Sequence, residues 1–276
     1  MTITKQVVGR WIGNVLMVLL VLFMLTPVFY MLMMSFRTGE EIAEKPLGVP
    51  SRLYLDNYVN ALGSMDYVSA VINSVGITLS VTVLVALIGS LAAYPLARST
   101  NRVGQAFIML VALGLATPAF VTITPIYVIF RQLGLLDSYL GIILAFTALN
   151  LPLSVFFYVG FIGAVPRELE EAAKLDNCND FQIFWYVIRP LLGPATATLS
   201  LFVMLMVWND FTYPLLLLTD PDKFTVMIAV YRFVGNHTVQ PDQLFPAAVL
   251  GSLPLLLIFL VFQRRIVSGV TAGAVK

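Results

Sequence analysis

The sequence predicts an all-α integral membrane protein with six transmembrane helices. Hydrophobic residues make up 59% of its 276 residues and charged residues only 11%, and the mean hydropathy is +0.90. This apolar share is far above that of an ordinary soluble domain. The apolar runs are continuous instead of alternating, so helices are favoured over a β-barrel, the other structure that satisfies backbone hydrogen bonds in lipid.

Six apolar runs are long enough to cross a bilayer, which requires about 20 helical residues. They cover residues 11–36, 70–96, 106–130, 140–163, 192–218 and 245–262. We therefore expect a single transmembrane domain over residues 1–276, with its core at about 70–266. Prolines within the runs are expected to bend or interrupt helices, as gating hinges or as static kinks. They are Pro27, Pro95, Pro118, Pro125, Pro152, Pro214 and Pro254.

Lysine and arginine are unevenly divided between the two sides of these runs. Ten of the 16 fall on the side that carries both termini. Because loops rich in these residues stay in the cytoplasm, we expect both termini and the segment 164–190 inside the cell. The stretches 40–66 and 220–242 are then outside. From Asn57 onward, the first of these has loosely helical apolar spacing, compatible with a short surface helix or an irregular loop.

The segment 168–190 contains five acidic residues in an otherwise apolar chain, so it must lie in water. Glu168, Glu170 and Glu171 favour the positive end of a helix dipole, and Glu170 with Lys174 forms an i,i+4 pair. Asn177 tolerates the left-handed conformation that ends helices. A second helical stretch follows up to Pro190, so the segment is predicted to fold as a helix, a turn and a helix.

The same segment resembles the loop by which membrane subunits of ABC importers dock onto their ATPases. The resemblance rests on Glu171-Ala172-Ala173, Asp176, Phe184, Ile188 and Pro190 and their spacing. The family loop usually has Gly at the position of Asn177 and Leu at that of Arg189. The resemblance implies that residues of this loop couple the chain to an ATPase: Glu170, Glu171, Ala172, Ala173, Asp176, Asn177, Phe184, Ile188 and Pro190.

Beyond the loop, the chain resembles the maltose-type permeases of carbohydrate ABC importers. Stretches that carry the resemblance include Ala92-Ala93-Tyr94 with Ala97-Arg98, Leu133-Gly134-Leu135-Leu136-Asp137, Trp208-Asn209-Asp210-Phe211 and Gly269 to Lys276. The resemblance implies the type I ABC importer permease fold, in the bacterial plasma (inner) membrane. It also implies four kinds of partner: a homologous second permease subunit, two copies of a cytoplasmic ABC ATPase, an extracytoplasmic solute-binding protein, and a sugar substrate (an oligosaccharide, a disaccharide or a related polyol).

The sequence gives no indication of catalysis by the chain itself. It contains no Gly-x-x-x-x-Gly-Lys-Ser/Thr motif, so we expect ATP-Mg to bind the partner ATPase and no cofactor in this chain. Its single histidine, His237, has no obvious metal-ligating companion and is interpreted as a surface residue. With a net charge of +1, nothing suggests nucleic acid as a partner.

Asp210 is the only acidic residue well inside an apolar run, where an ionisable group is costly and therefore a candidate for function. From Leu192, a helical rise of about 1.5 Å per residue places it roughly 27 Å along the fifth run, toward the outer face. We predict that polar residues of this region and one of the fourth run belong to the substrate pathway or to a subunit interface: Asn150, Asn209, Asp210 and Tyr213.

Two other functional classes are compatible with parts of the sequence. An ion-driven secondary transporter is also polytopic and rich in proline, but such carriers commonly pair ionisable groups near mid-bilayer, and here only Asp210 is present, off centre. An ABC permease for another solute, such as amino acids or phosphate, is the second alternative.

The cytoplasmic tail at 264–276 is short and has little capacity to fold alone. We expect residues 268–276 to reach into the ATPase dimer, with a disordered end as the alternative.

Overall fold

The computed structural model describes residues 2–234 and 240–274, and within these ranges the chain forms helices and no strand. The α-helices are α1 (Thr2–Met34), α2 (Gly39–Glu44), α3 (Asp56–Ser64), α4 (Tyr67–Arg98), α5 (Arg102–Ala116), α6 (Ala119–Gln132), α7 (Tyr139–Gly163), α8 (Glu168–Leu175), α9 (Asp180–Ile183), α10 (Arg189–Leu191), α11 (Gly193–Asn209), α12 (Thr212–Leu217), α13 (Val226–Tyr231) and α14 (Pro241–Ala274). A π-helical turn at Phe184–Ile188 joins α9 to α10. His237 lies outside the described residues.

Four helices are long and apolar enough to cross a membrane: part of α1, α4, α7 and part of α14. Two bent helix pairs raise the number to six when each pair counts as one span, in agreement with the six predicted. The predicted span 106–130 is not one straight helix, because α5 and α6 meet at 101°. The break falls at Pro118, whose ring disfavours helical geometry at Thr117. The second bent pair is Asp180–Leu191 with α11, which meet at 75°. The predicted span 192–218 is also interrupted between α11 and α12, where the backbone of Asp210 is extended.

One compact unit of the chain comprises Met1–Asp66 and Val230–Leu253. Within it, α3 confirms the helical alternative for the stretch that starts at Asn57. The guanidinium of Arg37 is almost fully buried and donates to the backbone carbonyl of Glu41. Asn57 Nδ2 donates to the carbonyl of Arg37 at 2.9 Å, so α3 is held against the turn that follows α1.

The second compact unit comprises Tyr67–Ala229 and Pro254–Lys276. At its centre, α4 packs along α7, and α11 packs against both. Ser154 of α7 is fully buried, and its hydroxyl donates to the carbonyl of Val85 in α4 at 2.9 Å. A Cβ at Gly89 would lie 2.7 Å from the Ser154 Cβ, so the two helices approach closely because one of them has no side chain there.

We expect Gly89→Ala to destabilise the protein by about 1–3 kcal/mol, since the added methyl group collides with Ser154 and forces α4 away from α7. The measurement is the melting temperature of the detergent-purified protein, followed by intrinsic fluorescence. Gly76→Ala is the matched control, because a Cβ at Gly76 of the same helix meets no described atom within 4 Å. Equal melting temperatures for the two variants would contradict the close approach.

The last helix extends further than expected from the sequence. The predicted span ended at residue 262 and the following tail was expected to have no fold of its own, yet α14 continues to Ala274. Val275 and Lys276 lie outside the described residues. The expected contact of the tail with an ATPase stays a prediction.

Candidate functional site

The charged segment folds as the predicted helix, turn and helix, the first helix being α8. Asn177 has a φ of 59°, which confirms the left-handed conformation predicted for it. The amide of Cys178 donates to the carbonyl of Ala173 and that of Asn177 to Lys174, both at 3.0 Å. This pair of bonds is the Schellman motif, so the turn is fixed by its own backbone and is not a flexible linker.

The second helix of the segment begins with a cap that our sequence reasoning did not use. The side chain of Asn179 accepts from the amide of Gln182, and the side chain of Gln182 accepts from the amide of Asn179, each at 2.9 Å. An Asn followed three residues later by Gln is the sequence signature of this capping box. The helical stretch Asp180–Leu191 then meets α11 at 75°. We call this bend between Asp180–Leu191 and α11 the elbow, and it leads directly into the span that contains α11.

The two faces of α8 differ in exposure. Only Glu170 and Ala173 are buried, and the predicted coupling residues Glu171 and Ala172 are exposed. On the exposed side, Leu175 has a relative accessibility of 86%. An exposed helix that combines carboxylates with exposed apolar side chains is typical of a surface that binds another protein.

The predicted pair between Glu170 and Lys174 is wrong. Glu170 is paired instead with the end of α4, where its Oε1 lies 2.6 Å from Arg98 Nη2. Lys174 Nζ instead lies 3.8 Å from the carboxylate of Asp180. The reason is that Glu170 lies on the buried face of α8 together with Ala173. Its partner is therefore a residue packed against that face, Arg98 of α4.

Other residues of the predicted coupling set anchor the loop or lie exposed. Phe184 and Ile188 are buried in the core, and the ring of Phe184 lies 5.8 Å from that of Tyr94. Asp176 and Pro190 are exposed, alongside Glu171, Ala172 and Asn177. The structure therefore divides the set into exposed residues and buried residues. The exposed ones are Glu171, Ala172, Asp176, Asn177 and Pro190, and the buried ones are Glu170, Ala173, Phe184 and Ile188.

Arg189, which stands where the family loop usually has Leu, has a specific contact. Its guanidinium lies over the ring of Trp185, 4.3 Å from the ring centre. Trp185 stacks in turn on Phe181, with ring centres 6.1 Å apart and planes within 14°. This arrangement gives the arginine a cation–π partner on the helix surface, so the replacement does not disturb the fold of the loop.

A cavity of about 610 Å³ lies where the break between α5 and α6 and the break between α11 and α12 face α7. Its volume is within the range of about 300–1,000 Å³ that small-molecule sites occupy. The wall combines aromatic, hydroxyl, amide and carboxylate side chains with apolar ones. Residues from the α5–α6 break, α7 and the α11–α12 break line it: Thr117, Ala119, Thr122, Phe146, Ala148, Asn150, Met206, Asp210 and Tyr213.

Three of the four residues predicted for the substrate pathway line this cavity, namely Asn150, Asp210 and Tyr213. Asn209 does not, and its Nδ2 donates to the carbonyl of Leu205 within α11. Asp210 Oδ1 accepts from the amide of Tyr213 at 3.0 Å, which caps the start of α12. The structure thus brings Asn150 of α7 together with the broken fifth span.

Sequence reasoning missed the contribution of the α5–α6 break to this cavity. The hydroxyls of Thr122 and Tyr213 lie 2.7 Å apart, and the Tyr213 hydroxyl donates to the carbonyl of Ala119 at 3.1 Å. Pro118 was the available signal, since a proline commonly breaks or kinks a helix. The ring of Phe146 lies 6.0 Å from that of Tyr213 and completes an aromatic wall.

Comparison with known proteins identifies the family. Residues 86–272 match the family described as "Binding-protein-dependent transport system inner membrane component". The chain belongs to that family. This inner membrane component is therefore part of a transport system and is not itself an enzyme.

Several curated relatives match over nearly their whole length. The diacetylchitobiose uptake system permease protein NgcG of Streptomyces coelicolor is 32% identical over 96% of this chain and 88% of its own. The trehalose transport system permease protein SugB of Mycobacterium tuberculosis is 33% identical over 95% of this chain and 96% of its own. The melibiose/raffinose/stachyose import permease protein MelC of Bacillus subtilis is 30% identical, covering 91% of both chains.

Solved structures confirm the predicted permease fold. A chain of a bacterial ABC transporter involved in the import of the acidic polysaccharide alginate superposes with a TM-score of 0.77 at 24% identity, over 92% of this chain and 96% of the other. A chain of a bacterial alginate ABC transporter in complex with an alginate pentasaccharide-bound periplasmic protein gives a TM-score of 0.66 at 16% identity, over 95% and 97%.

A third polar centre of the permease lies between α6 and α7. Asp137 Oδ1 accepts from the amides of Thr219 and Asp220, each at 3.0 Å, and its Oδ2 lies 3.2 Å from Lys223 Nζ. The amide of Asp137 donates to the carbonyl of Leu217 at 2.7 Å. The hydrogen bonds that the Asp137 carboxylate accepts lower its pKa to about 2, and the bond from the Asp220 amide has the largest effect. The hydrogen bonds from the Lys223 ammonium to Asp137 and to Asp220 raise the pKa of Lys223 above its usual value. We name Asp137, Thr219, Asp220 and Lys223 the Asp137 clamp.

Among the described residues, no group of three or more His, Cys, Asp or Glu side chains is placed to hold a metal ion. Cys178, in the turn that follows α8, is a free thiol.

Proposed function

We propose that this permease subunit carries a sugar across the bacterial plasma membrane, driven by ATP hydrolysis on separate subunits that dock on α8. The observation that carries the proposal is the exposed face of α8. Glu171, Ala172 and Leu175 project from a short helix whose turn and elbow are fixed by capping bonds. A stiff unit of this kind transmits rigid-body motion to the spans on either side of it.

The proposed orientation places α8, both termini and the ATPase in the cytoplasm. It rests on the excess of lysine and arginine on that side of the spans. The partners that fit this arrangement are a homologous second permease subunit, two copies of the ATPase with their ATP-Mg, and a solute-binding protein on the outer side. The Asp137 clamp then belongs to the outer side.

The proposed substrate is a carbohydrate: an oligosaccharide, a disaccharide or a related polyol. The relatives named for diacetylchitobiose, for trehalose and for melibiose, raffinose and stachyose support this class. The cavity supports it as well, because sugars present both hydroxyl groups and apolar ring faces. Phe146 and Tyr213 offer aromatic faces, and Asn150 and Asp210 offer hydrogen-bonding groups. We propose that these side chains line part of the sugar pathway.

The test is transport by the reconstituted complex. The chain is co-expressed with a second permease, an ATPase and a binding protein of the same organism, and the complex is placed in proteoliposomes loaded with ATP-Mg. We expect uptake of a labelled disaccharide that requires ATP and the binding protein and that is unaffected by collapsing the proton and sodium gradients. Uptake that persists without ATP and follows an ion gradient would instead establish the secondary-transporter alternative. ATP-dependent uptake of an amino acid or of phosphate, but of no sugar, would refute the substrate class alone.

A further inference from the structure

The buried carboxylate of Glu170 attaches α8 to the end of α4. Oε1 accepts from Arg98 Nε at 2.7 Å, and Oε2 accepts from the Tyr94 hydroxyl at 2.9 Å. Arg98 Nη2 also donates to the carbonyl of Val165, in the turn between α7 and α8, at 2.9 Å. Each carboxylate oxygen therefore has a donor from α4, and the arginine also binds the backbone that leads into the coupling helix.

This contact is poorly screened by water. The side chains of Arg98 and Glu170 are only 16% and 10% exposed. A buried ion pair is seldom more stabilising than apolar residues of the same size, because both charges must be desolvated. Its geometry, by contrast, is specific, since the planar guanidinium fixes the direction of its partner. The pair is therefore better suited to setting the position of α8 against α4 than to adding stability.

The other end of α4 is attached to the loop between α12 and α13. Asn73 Nδ2 donates to the carbonyl of Asp222 at 2.8 Å, and the Ser74 hydroxyl accepts from the amide of Val226 at 2.9 Å. Both attachments belong to one unbroken helix of 32 residues, about 48 Å long. It packs along α7 without space for a methyl group at Gly89. The helix is thus a continuous rod with polar attachments near both ends.

We propose that Tyr94 and Arg98 are positioning residues that make α4 follow α8 during the ATPase cycle. Movement of the docked helix then reaches the loop between α12 and α13 directly, as well as through the adjoining helices α7 and α11. The proposal rests on the proposed function, because it assumes that α8 is the ATPase-docking helix. It gives a role to Tyr94 and Arg98, which the sequence resemblance singled out without one.

The experiment compares ATP hydrolysed with sugar imported, using the complete complex in proteoliposomes. We expect Arg98→Ala and Glu170→Gln to lower sugar imported per ATP about ten-fold, while both variants still co-purify with the ATPase. Tyr94→Phe removes a single hydroxyl and is expected to have a smaller effect in the same direction. The exchanged double variant Arg98→Glu/Glu170→Arg is expected to recover most of the lost coupling, because it restores the ion pair. Arg102→Ala, at an exposed arginine of the neighbouring helix α5, is the matched control and is expected to import normally.

Two results would overturn the proposal. The first is normal import per ATP in the single variants. The second is a double variant as uncoupled as the single ones, which would mean that the identity of each residue matters but their pairing does not. Wild-type complex is assayed in the same vesicles. Failure of the wild type to import sugar with ATP refutes the proposed function, whereas normal wild-type import with coupled variants refutes only this inference.

Discussion

Replacing Glu171 by alanine is expected to reduce ATP-dependent uptake by at least about 30-fold, and to release the ATPase from the complex during purification. Glu171 lies on the exposed face of α8 beside Ala172 and Leu175, so docking of a partner on this face removes its carboxylate from water. Truncating one partner of a charge pair that is buried in an interface costs about 2–5 kcal/mol, much of it from the charge left behind. The measurements are proteoliposome uptake and the amount of ATPase retained on the affinity-purified permease.

The matched control for this prediction is Asp180→Ala. Asp180 is an exposed acid of the same loop, but it lies on the second helix and its nearest described cation is Lys174, 3.8 Å away on the surface. Loss of such a surface pair changes little. Undiminished uptake with Glu171→Ala, or an equal loss with Asp180→Ala, would show that α8 is not the docking helix or that the loop acts only through its net charge.

Filling the cavity is the second change with a large expected effect. Ala148 of α7 has an exposed side chain that lines the cavity beside Asn150, and Ala148→Phe places a ring in the space proposed for the sugar. Because the side chain enters a cavity, the variant is expected to fold and to bind the ATPase normally. Uptake should fall by at least about ten-fold, because the added ring occupies the space proposed for the sugar. A ten-fold change corresponds to about 1.4 kcal/mol. Proteoliposome uptake at saturating binding protein measures it.

Leu144→Phe is the control, since Leu144 lies one turn earlier on α7, is 41% exposed and does not line the cavity. We expect it to transport normally. The loss with Ala148→Phe should also grow with the length of the transported sugar. Equal uptake by the two variants would place the pathway elsewhere, for instance wholly within the second permease subunit.

The sequence was sufficient to predict the order of the elements in the coupling loop but not the direction of each side chain. The conformation of Asn177 could be predicted because few residue types adopt the left-handed backbone conformation. Glu170 and Glu171 are adjacent identical residues, about 100° apart around a helix, and nothing in the run distinguishes the inward from the outward one. That choice depends on α4, which presents Arg98 and Tyr94 from more than 70 positions earlier. Tertiary contacts of this kind have no local signature.

The predicted spans show the same limit for prolines. Pro118 separates two helices at 101°, but Pro95 and Pro152 lie within the unbroken helices α4 and α7. The residue type is the same in all three cases, and each lacks a backbone donor. What differs is the backbone of the preceding residue, which is extended at Thr117 but helical before Pro95 and Pro152. The location of apolar runs was therefore predictable, whereas the cavity, which depends on where the third and fifth spans break, was not.

The Asp137 clamp has a consequence for tolerance to acid. A carboxyl group whose pKa is lowered on folding stabilises the fold fully above its unfolded pKa, near 3.8, and loses that contribution only as the pH falls through about 2. On the proposed orientation the clamp faces the surrounding medium, whose acidity the cell does not control. The loops that form the clamp would therefore keep this stabilising contact when the outside medium becomes strongly acidic.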